Sequence, residues 1–198
     1  GLEVQGLSRR GGDLTIAADL NRPEALAQLE GFDVVINATD TSRVSPEPIA
    51  EYCLRHGKIF IETSADPSVF RALAAMPDGP GSIVLGAGAF PGLSTYLLEA
   101  APPAATSLKF VASWSVLSGA GAGTVEVMLD GLRKRALVVR DGRYAELPPL
   151  GELGDFSIAG RRRWAIPLGV PDVVLAHEAA GARLREVTFW AAVRPSLP

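Results

Sequence analysis

The feature that most constrains the fold is a series of short apolar runs that alternate with helical patterns over the first half of the chain. Such alternation indicates βα units and a parallel sheet. One run, DVVINAT at residues 33–39, is apolar on both faces, which is typical of a central parallel strand covered by helices on both sides. A sheet of this kind binds ligands at the carboxyl ends of its strands, so the residues that follow each run are candidate site residues.

The runs predicted to be strands in the first half are residues 2–8, 14–20, 33–39, 58–64 and 82–88. A helix is predicted after Asn21, whose side chain is a good N-cap, with Pro23 in the first turn. A second helix is predicted from Ser45 to Gly57, and a third from Asp66 to about Met76.

The pattern changes after Pro91. We predict a short helix at 93–101, a strand at 107–116, a helix at 124–132, a hairpin at 137–147 built on Asp141-Gly142, and a last strand at 186–194. Strands joined by tight turns pair in an antiparallel manner, so the second half is predicted to be an α+β module. The predicted domains are residues 1–88 and 89–198.

Composition narrows the function. The formal net charge of −3 gives no electrostatic support for binding nucleic acid or an anionic membrane. Cys53 is the only cysteine, which excludes an internal disulfide. The chain has only two histidines, so one cysteine and two histidines together make a structural zinc site improbable. The neighbours of Cys53 predict a buried helix position. No signal peptide and no membrane-spanning run are visible, so we expect a cytoplasmic protein.

The first strand ends in Ser8, Arg9 and Arg10. In a dinucleotide-binding sheet, an acidic residue at this position accepts a hydrogen bond from the ribose 2′-hydroxyl, whereas an arginine binds a 2′-phosphate through charge-assisted hydrogen bonds. Two arginines and no acid therefore favour NADP over NAD. The alternative is that both arginines are solvated loop charges.

The other strand ends also carry small or polar residues. The second strand ends in Asp19 and Leu20; an acid there often caps a turn near the adenine, although a plain turn residue is an equally good interpretation. The third strand ends in Asn37, Ala38 and Thr39, which are small enough for a ribose or nicotinamide to approach the backbone. The fourth ends in Thr63 and Ser64.

Taken together, DVVINAT, the helix ending EYCLRHGK, the strand IFIETSADP and the crossover LGAGAFPGLS resemble the saccharopine dehydrogenase-like reductases. The resemblance covers roughly residues 1–95, and SGAGAGT at 118–124 is similar to the second-domain loop of that family. It implies a Rossmann-type NAD(P)-binding domain followed by an α/β substrate and dimerisation domain. The resemblance supplies no catalytic residue. By position, it implies that the cofactor is contacted by Ser8, Arg9, Arg10, Asn37, Ala38, Thr39, Thr63 and Ser64.

One departure from the family is that its first strand and glycine-rich phosphate loop would precede Gly1. In the strand order 3-2-1-4-5-6 that strand lies in the middle of the sheet, so runs 2–8 and 33–39 lose their shared neighbour. Three explanations are open: a longer native protein, which we favour, a strand supplied by a partner or by rearrangement, or a non-catalytic remnant. The expected fold is an incomplete parallel Rossmann-type sheet followed by an α+β domain with a mostly antiparallel sheet.

The glycines of GAGAFPG at residues 86–92 imitate a phosphate loop. The spacing differs by one from the dinucleotide fingerprint, and βα units already precede it. We interpret Gly86 and Gly88 as points where the strand end approaches cofactor or substrate closely, and the segment as the hinge between the domains.

The predicted function is an NADP-dependent oxidoreductase that transfers a hydride between nicotinamide and a small-molecule substrate. The alternative is a non-catalytic nucleotide-binding or scaffold module. Glu126, His177 and Tyr144 are candidate proton donors, and none has a visible partner in the sequence. The sequence does not show whether the second-domain sheet dimerises, although its alternating strands, with Trp114, Phe189 and Trp190, could form a self-complementary face for a homodimer.

Overall fold

A computed structural model describes residues 3–41, 43–115, 129 and 131–194. The chain divides into two compact units. The first comprises residues 1–64 and 68–87, and the second comprises residues 65–67 and 88–198.

The first unit contains short parallel strands and the helices that follow them. The strands are β1 (Gly6–Ser8), β2 (Thr15–Ala17), β3 (Val34–Asn37), β4 (Ile59–Glu62) and β5 (Ser82–Val84). The helices are a 3-10 helix at Pro23–Leu29, α1 (Glu47–Arg55) and α2 (Pro67–Ala74). Each predicted strand is present, but shorter than its apolar run.

The strands form two separate parallel sheets. β1 pairs with β2, and β3, β4 and β5 pair in that order. β1 and β3 are not paired with each other, as expected for a sheet without its middle strand. The prediction of an incomplete parallel sheet is therefore confirmed.

Within the described residues, one face of the β3–β4–β5 sheet is exposed and is not covered by a helix. Val34, Ile36, Ile59 and Val84 alternate onto this face and are between 41% and 65% exposed. The opposite face, which carries Phe60, packs into a core with α1. The prediction that run 33–39 is buried on both faces is therefore wrong for β3, because the described helices cover only one side.

The helix ends differ in detail from their predictions. Asn21 does not cap the first helix; its backbone N–H instead donates to Asp19 Oδ1 at 3.2 Å, and no side chain caps the 3-10 helix. α1 starts two residues later than predicted, at Glu47, and Ser45 Oγ accepts the N–H of Glu47 at 3.4 Å. Gly57 ends this helix with a φ of 69°.

Cys53 lies on the inner face of α1 and is fully buried. Burial raises the pKa of its thiol to about 11, and the Lys58 ammonium opposes this rise. A thiol with such a pKa is protonated at neutral pH and unreactive. The prediction of a buried helix cysteine is confirmed.

The second unit is built on a six-stranded sheet. Its strands are β6 (Ser107–Ser115), β7 (Ala136–Arg140), β8 (Arg143–Leu147), β9 (Gly154–Ile158), β10 (Arg161–Pro167) and β11 (Glu186–Arg194), and its helices are α3 (Leu93–Leu98) and α4 (Asp172–Ala180). β11 pairs in parallel with β6 and antiparallel with β7 and β10. The sheet is mostly antiparallel, as predicted.

Two hairpins shape this sheet. The predicted turn joins β7 to β8 with positive φ at Asp141 and Gly142, as a tight hairpin turn requires. A second hairpin, which was not predicted from the sequence, joins β9 to β10 through Ala159 and Gly160, also at positive φ. The predicted helix at 124–132 lies largely outside the described residues, as does the SGAGAGT segment.

Two of the three aromatic residues of the candidate dimer face, Phe189 and Trp190, are buried. Phe189 is 1% exposed and Trp190 is 5% exposed, because both pack inside the second unit. The side chain of Trp114 lies outside the described residues. Phe189 and Trp190 cannot form a dimer contact from these positions, and dimerisation itself stays a prediction.

Candidate functional site

The carboxyl ends of β3 and β4 form one polar cluster, which we call the polar edge. It consists of the neighbouring residues Asn37, Thr39, Glu62, Thr63 and Ser64. Parallel pairing sets Asn37 opposite Glu62, so the strand ends meet at the same edge of the sheet. The structure therefore brings together the site residues that the sequence predicted separately on these two strands.

A buried side-chain pair holds the polar edge together. Asn37 is 3% exposed and Glu62 is 2% exposed, and Asn37 Nδ2 donates to Glu62 Oε2 at 2.7 Å. The second carboxylate oxygen, Glu62 Oε1, accepts the N–H of Ser64 at 2.7 Å. Both oxygens of the buried carboxyl group are thus hydrogen-bonded, as buried polar groups generally are.

The hydroxyl groups at this edge are also ordered by hydrogen bonds. Thr39 Oγ1 donates to Asn37 Oδ1 at 2.8 Å, and Thr63 Oγ1 donates to the Asn37 carbonyl at 2.8 Å. The Ser64 hydroxyl lies 3.3 Å from the hydroxyl of Thr41. Ala38 is exposed between these residues, so a ligand has access to the backbone there.

Arg9 and Arg10 follow the carboxyl end of β1, and both are exposed. Within the described ranges, neither guanidinium has an ion-pair or hydrogen-bond partner. The backbone carbonyl of Ser8 accepts hydrogen bonds from the N–H groups of Gly11 and Ala18 and so stabilises the turn after β1. The turn thereby holds the arginines at the end of β1.

Asp19 lies at the end of β2 beside a shallow depression. Its carboxylate accepts the Asn21 N–H and lies 3.8 Å from Arg22 Nε. Asp19 and Arg22 line the depression together with Ala18, Ala25 and residues around them. The turn-capping role proposed for Asp19 is present, and an adenine contact stays a prediction.

The GAGAFPG segment is closed by its own backbone. The Gly88 N–H donates to the Pro91 carbonyl at 2.9 Å, and the Gly88 carbonyl accepts the N–H of Leu93 at 3.1 Å. Gly86 has a φ of 71°, and the N–H of Ala87 donates to the Glu62 carbonyl. A phosphate loop needs free N–H groups, so this geometry supports a crossover, and the boundary between the two units falls at Ala87–Gly88.

Two buried polar residues, one at each end of β4, were not predicted from the sequence. Glu62 was missed because it precedes the small hydroxyl residues that mark the strand end. Lys58 is 8% exposed, and its ammonium donates to the carbonyls of Glu30 and Phe32, each at 2.7 Å. The signal that could have found it is the Gly-Lys pair between α1 and β4, where a lysine adjoins a buried strand.

Two of the three candidate proton donors lie together in the second unit. The rings of Tyr144 and His177 are in edge-to-face contact, with centroids 5.1 Å apart. Burial, and secondarily the charge of Glu178, raises the pKa of Tyr144. His177 Nδ1 is buried, and within the described ranges it has no hydrogen-bond partner. Glu126 lies outside the described residues.

The second unit also buries an acid. Asp172 is 1% exposed at the start of α4, where Ser94 Oγ donates to its Oδ1. Its Oδ2 is buried and, within the described ranges, has no partner. Burial raises the pKa of Asp172 above its ordinary 3.8, and the bonds from Ser94 and from its own backbone only oppose this rise.

We expect Asp172 to make stability pH-dependent. A carboxyl whose folded pKa is raised stabilises the fold below its unfolded pKa, and this contribution is lost as the pH rises through the folded pKa. The free energy of unfolding of wild type should therefore fall relative to that of Asp172→Asn as the pH is raised from about 3.5. Urea denaturation between about pH 3.5 and pH 7 measures this, with exposed Asp78→Asn as control. Parallel curves for wild type and Asp172→Asn would contradict the expectation.

Neither a metal centre nor a membrane span is found in the described ranges. No group of three or more histidine, cysteine, aspartate or glutamate side chains is placed to hold a metal ion there. No helix among these residues is long and apolar enough to cross a membrane.

No protein-family model and no curated protein sequence matches the chain. Among solved structures, the chain is similar to apo histidine-tagged saccharopine dehydrogenase (L-Glu forming) from Saccharomyces cerevisiae, with a TM-score of 0.59 and 16% sequence identity. The match covers 90% of this chain and 44% of that chain, so the chain spans less than half the length of the solved structure. With its incomplete parallel sheet followed by a mostly antiparallel one, the chain has a saccharopine dehydrogenase-like fold.

Proposed function

We propose that this chain belongs to an NADP-dependent oxidoreductase of the saccharopine dehydrogenase-like group, acting on a small-molecule substrate. When bound, the nicotinamide supplies the hydride chemistry. The residues of this chain bind and orient the dinucleotide at the carboxyl ends of the parallel strands, where such sheets take their ligands. A cytoplasmic location and a homodimer belong to the same proposal.

The observation that carries the proposal is the unpaired state of Arg9 and Arg10. Within the described ranges, no carboxylate neutralises either guanidinium, although both stand at the end of β1. This is the strand end at which a dinucleotide-binding sheet recognises the adenosine ribose. Two free guanidinium groups suit the two negative charges of a 2′-phosphate, which arginine binds with charge-assisted, often bidentate hydrogen bonds.

The polar edge fits the other end of the dinucleotide. Thr39, Thr63 and Ser64 set hydroxyl groups beside exposed Ala38, which leaves room for a ribose or a nicotinamide ring. Gly86 follows β5, and the next residue, Ala87, donates its N–H to the Glu62 carbonyl. These residues match the nucleoside part of the cofactor in size and polarity.

A binding module without turnover is the second candidate. The observation in its favour is that the side chains of Asn37, Thr39 and Glu62 are hydrogen-bonded to one another. Such a cluster orients a ligand, and its one carboxyl group, that of Glu62, is buried and hydrogen-bonded through both oxygens rather than turned toward a substrate. NADPH binding without oxidation in a screen of small-molecule hydride acceptors would favour this candidate.

The test is isothermal titration with NADPH and NADH. Because charge-assisted bonds contribute about 1.5–3 kcal/mol each, Arg9→Ala and Arg10→Ala should each weaken NADPH binding about tenfold or more. NADH affinity should change less than about twofold, since NADH has no 2′-phosphate. The control is Arg55→Ala on α1, an exposed arginine paired with Glu51. Equal losses for both cofactors would contradict the NADP assignment, and no heat with millimolar NADPH would contradict binding by this chain.

A further inference from the structure

We propose that Glu62 is a positioning residue that makes the polar edge a surface of hydrogen-bond acceptors. The ligand group bound there is then a donor, a ribose hydroxyl or a carboxamide N–H, and not a phosphate. This inference rests on the proposed function, since it assigns a part of the dinucleotide to this edge.

The first step concerns the direction of the hydrogen bonds made by Glu62. Its two oxygens accept from Ser64 N–H and from Asn37 Nδ2, each at 2.7 Å, and the residue is only 2% exposed. The backbone N–H of Thr39 can only donate, and it bonds Asn37 Oδ1. The NH2 group of Asn37 therefore faces Glu62, which fixes the orientation of the amide.

The second step follows from that orientation. The Asn37 Oδ1 atom is left facing Thr39, where it accepts the backbone N–H at 3.2 Å and the hydroxyl at 2.8 Å. Thr63 Oγ1 donates to the Asn37 carbonyl. A hydroxyl has a single proton and two lone pairs. Each threonine hydroxyl already donates its single proton to Asn37, so only its lone pairs are left for a ligand.

The third step concerns the ligand. A phosphate oxygen is also an acceptor, and it gains nothing from a hydroxyl whose proton is already used. A ribose hydroxyl or a carboxamide N–H donates to those lone pairs. Thr39 and Thr63 are half-buried beside exposed Ala38, so such a group has access to them.

The decisive variants exchange the acid and the amide between the two positions. Glu62→Gln leaves one acceptor oxygen for two donors, so either Ser64 N–H or the Asn37 amide loses its partner. The double variant Asn37→Asp with Glu62→Gln restores every bond with one direction reversed. The introduced glutamine then accepts from Ser64 N–H and donates to the introduced aspartate, whose second oxygen accepts from Thr39.

We expect Glu62→Gln to weaken NADPH binding about tenfold and the double variant to return within about threefold of wild type. Recovery in the double variant would show that the pattern of hydrogen bonds, and not the identity of the side chain at position 62, sets the affinity. If Glu62→Gln is poorly folded, Thr39→Val and Thr39→Ser replace it: valine should lose binding and serine should keep it.

The ligand class is tested by NMR titration of the wild-type chain with nicotinamide riboside, nicotinamide and inorganic pyrophosphate. The riboside should shift the Thr39 and Thr63 amide resonances, and pyrophosphate should not. A shift with nicotinamide alone assigns the contact to the carboxamide, and a shift with the riboside only assigns it to the ribose. Pyrophosphate shifts at Thr39 and Thr63, or wild-type NADPH affinity in both Glu62→Gln and Thr39→Val, would overturn this inference alone. Wild type that binds neither NADPH nor the riboside would overturn the proposed function and this inference with it.

Discussion

Replacing Gly81 by alanine is expected to lower the free energy of unfolding by about 3 kcal/mol, in the upper part of the range for overpacking a core. A Cβ atom at Gly81 would stand 2.5 Å from the Cys53 carbonyl oxygen, 2.6 Å from the Lys58 carbonyl oxygen and 2.9 Å from Leu54 Cα. All three contacts are backbone atoms, which cannot rotate away as a side chain can. The end of α1 and the starts of β4 and β5 would have to separate.

Gly31→Ala is the matched control for this substitution. No atom lies within 4 Å of a Cβ built at Gly31, so alanine there should leave stability unchanged or raise it by up to about 1 kcal/mol. Urea denaturation followed by circular dichroism compares the two variants. A Gly81→Ala protein as stable as Gly31→Ala would show that the close approach of these backbone segments is not required.

Lys58→Met is expected to cost about 2–4 kcal/mol, because the ammonium makes two charge-assisted hydrogen bonds from a largely buried position. Lys58 Nζ donates to the carbonyls of Glu30 and Phe32, which end the segment after the 3-10 helix. Methionine retains most of the length of the side chain and its apolar packing but leaves both carbonyls without this donor. The loop that leads into β3 would then lose its attachment to β4.

The control for this variant is Lys109→Met, which makes the same chemical change at an exposed position on β6. Its effect should stay within about 0.5 kcal/mol, as is usual for surface substitutions. Equal stability of the Lys58→Met and Lys109→Met proteins in urea would exclude a structural role for the buried ammonium.

Local chain preferences explain the predictions that the structure confirms. The Asp141-Gly142 turn, the glycine that ends α1 and the buried face of Cys53 depend on residues within a few positions of each other. The succession of strands and helices likewise depends on hydrophobic periodicity, which is visible in a short window of sequence.

The predictions that failed required knowledge of neighbours distant in sequence. Val34 and Ile36 have the composition of a strand buried on both faces, yet they are exposed because the described chain covers one face only. Asn21 has a good capping side chain, but Asp19 takes the turn position instead. Phe189 and Trp190 are equally compatible with a core and with an interface, and packing places them in the core.

By itself, then, the sequence determined the fold class, the order of the strands in the first unit and the polar residues at their carboxyl ends. The tertiary structure decided how the side chains at those ends are used. Glu62 meets Asn37 across 25 positions, and Lys58 reaches carbonyls 26 and 28 positions away. Such partners are set by the register of parallel strands, and no local pattern in the sequence encodes which donor faces which acceptor.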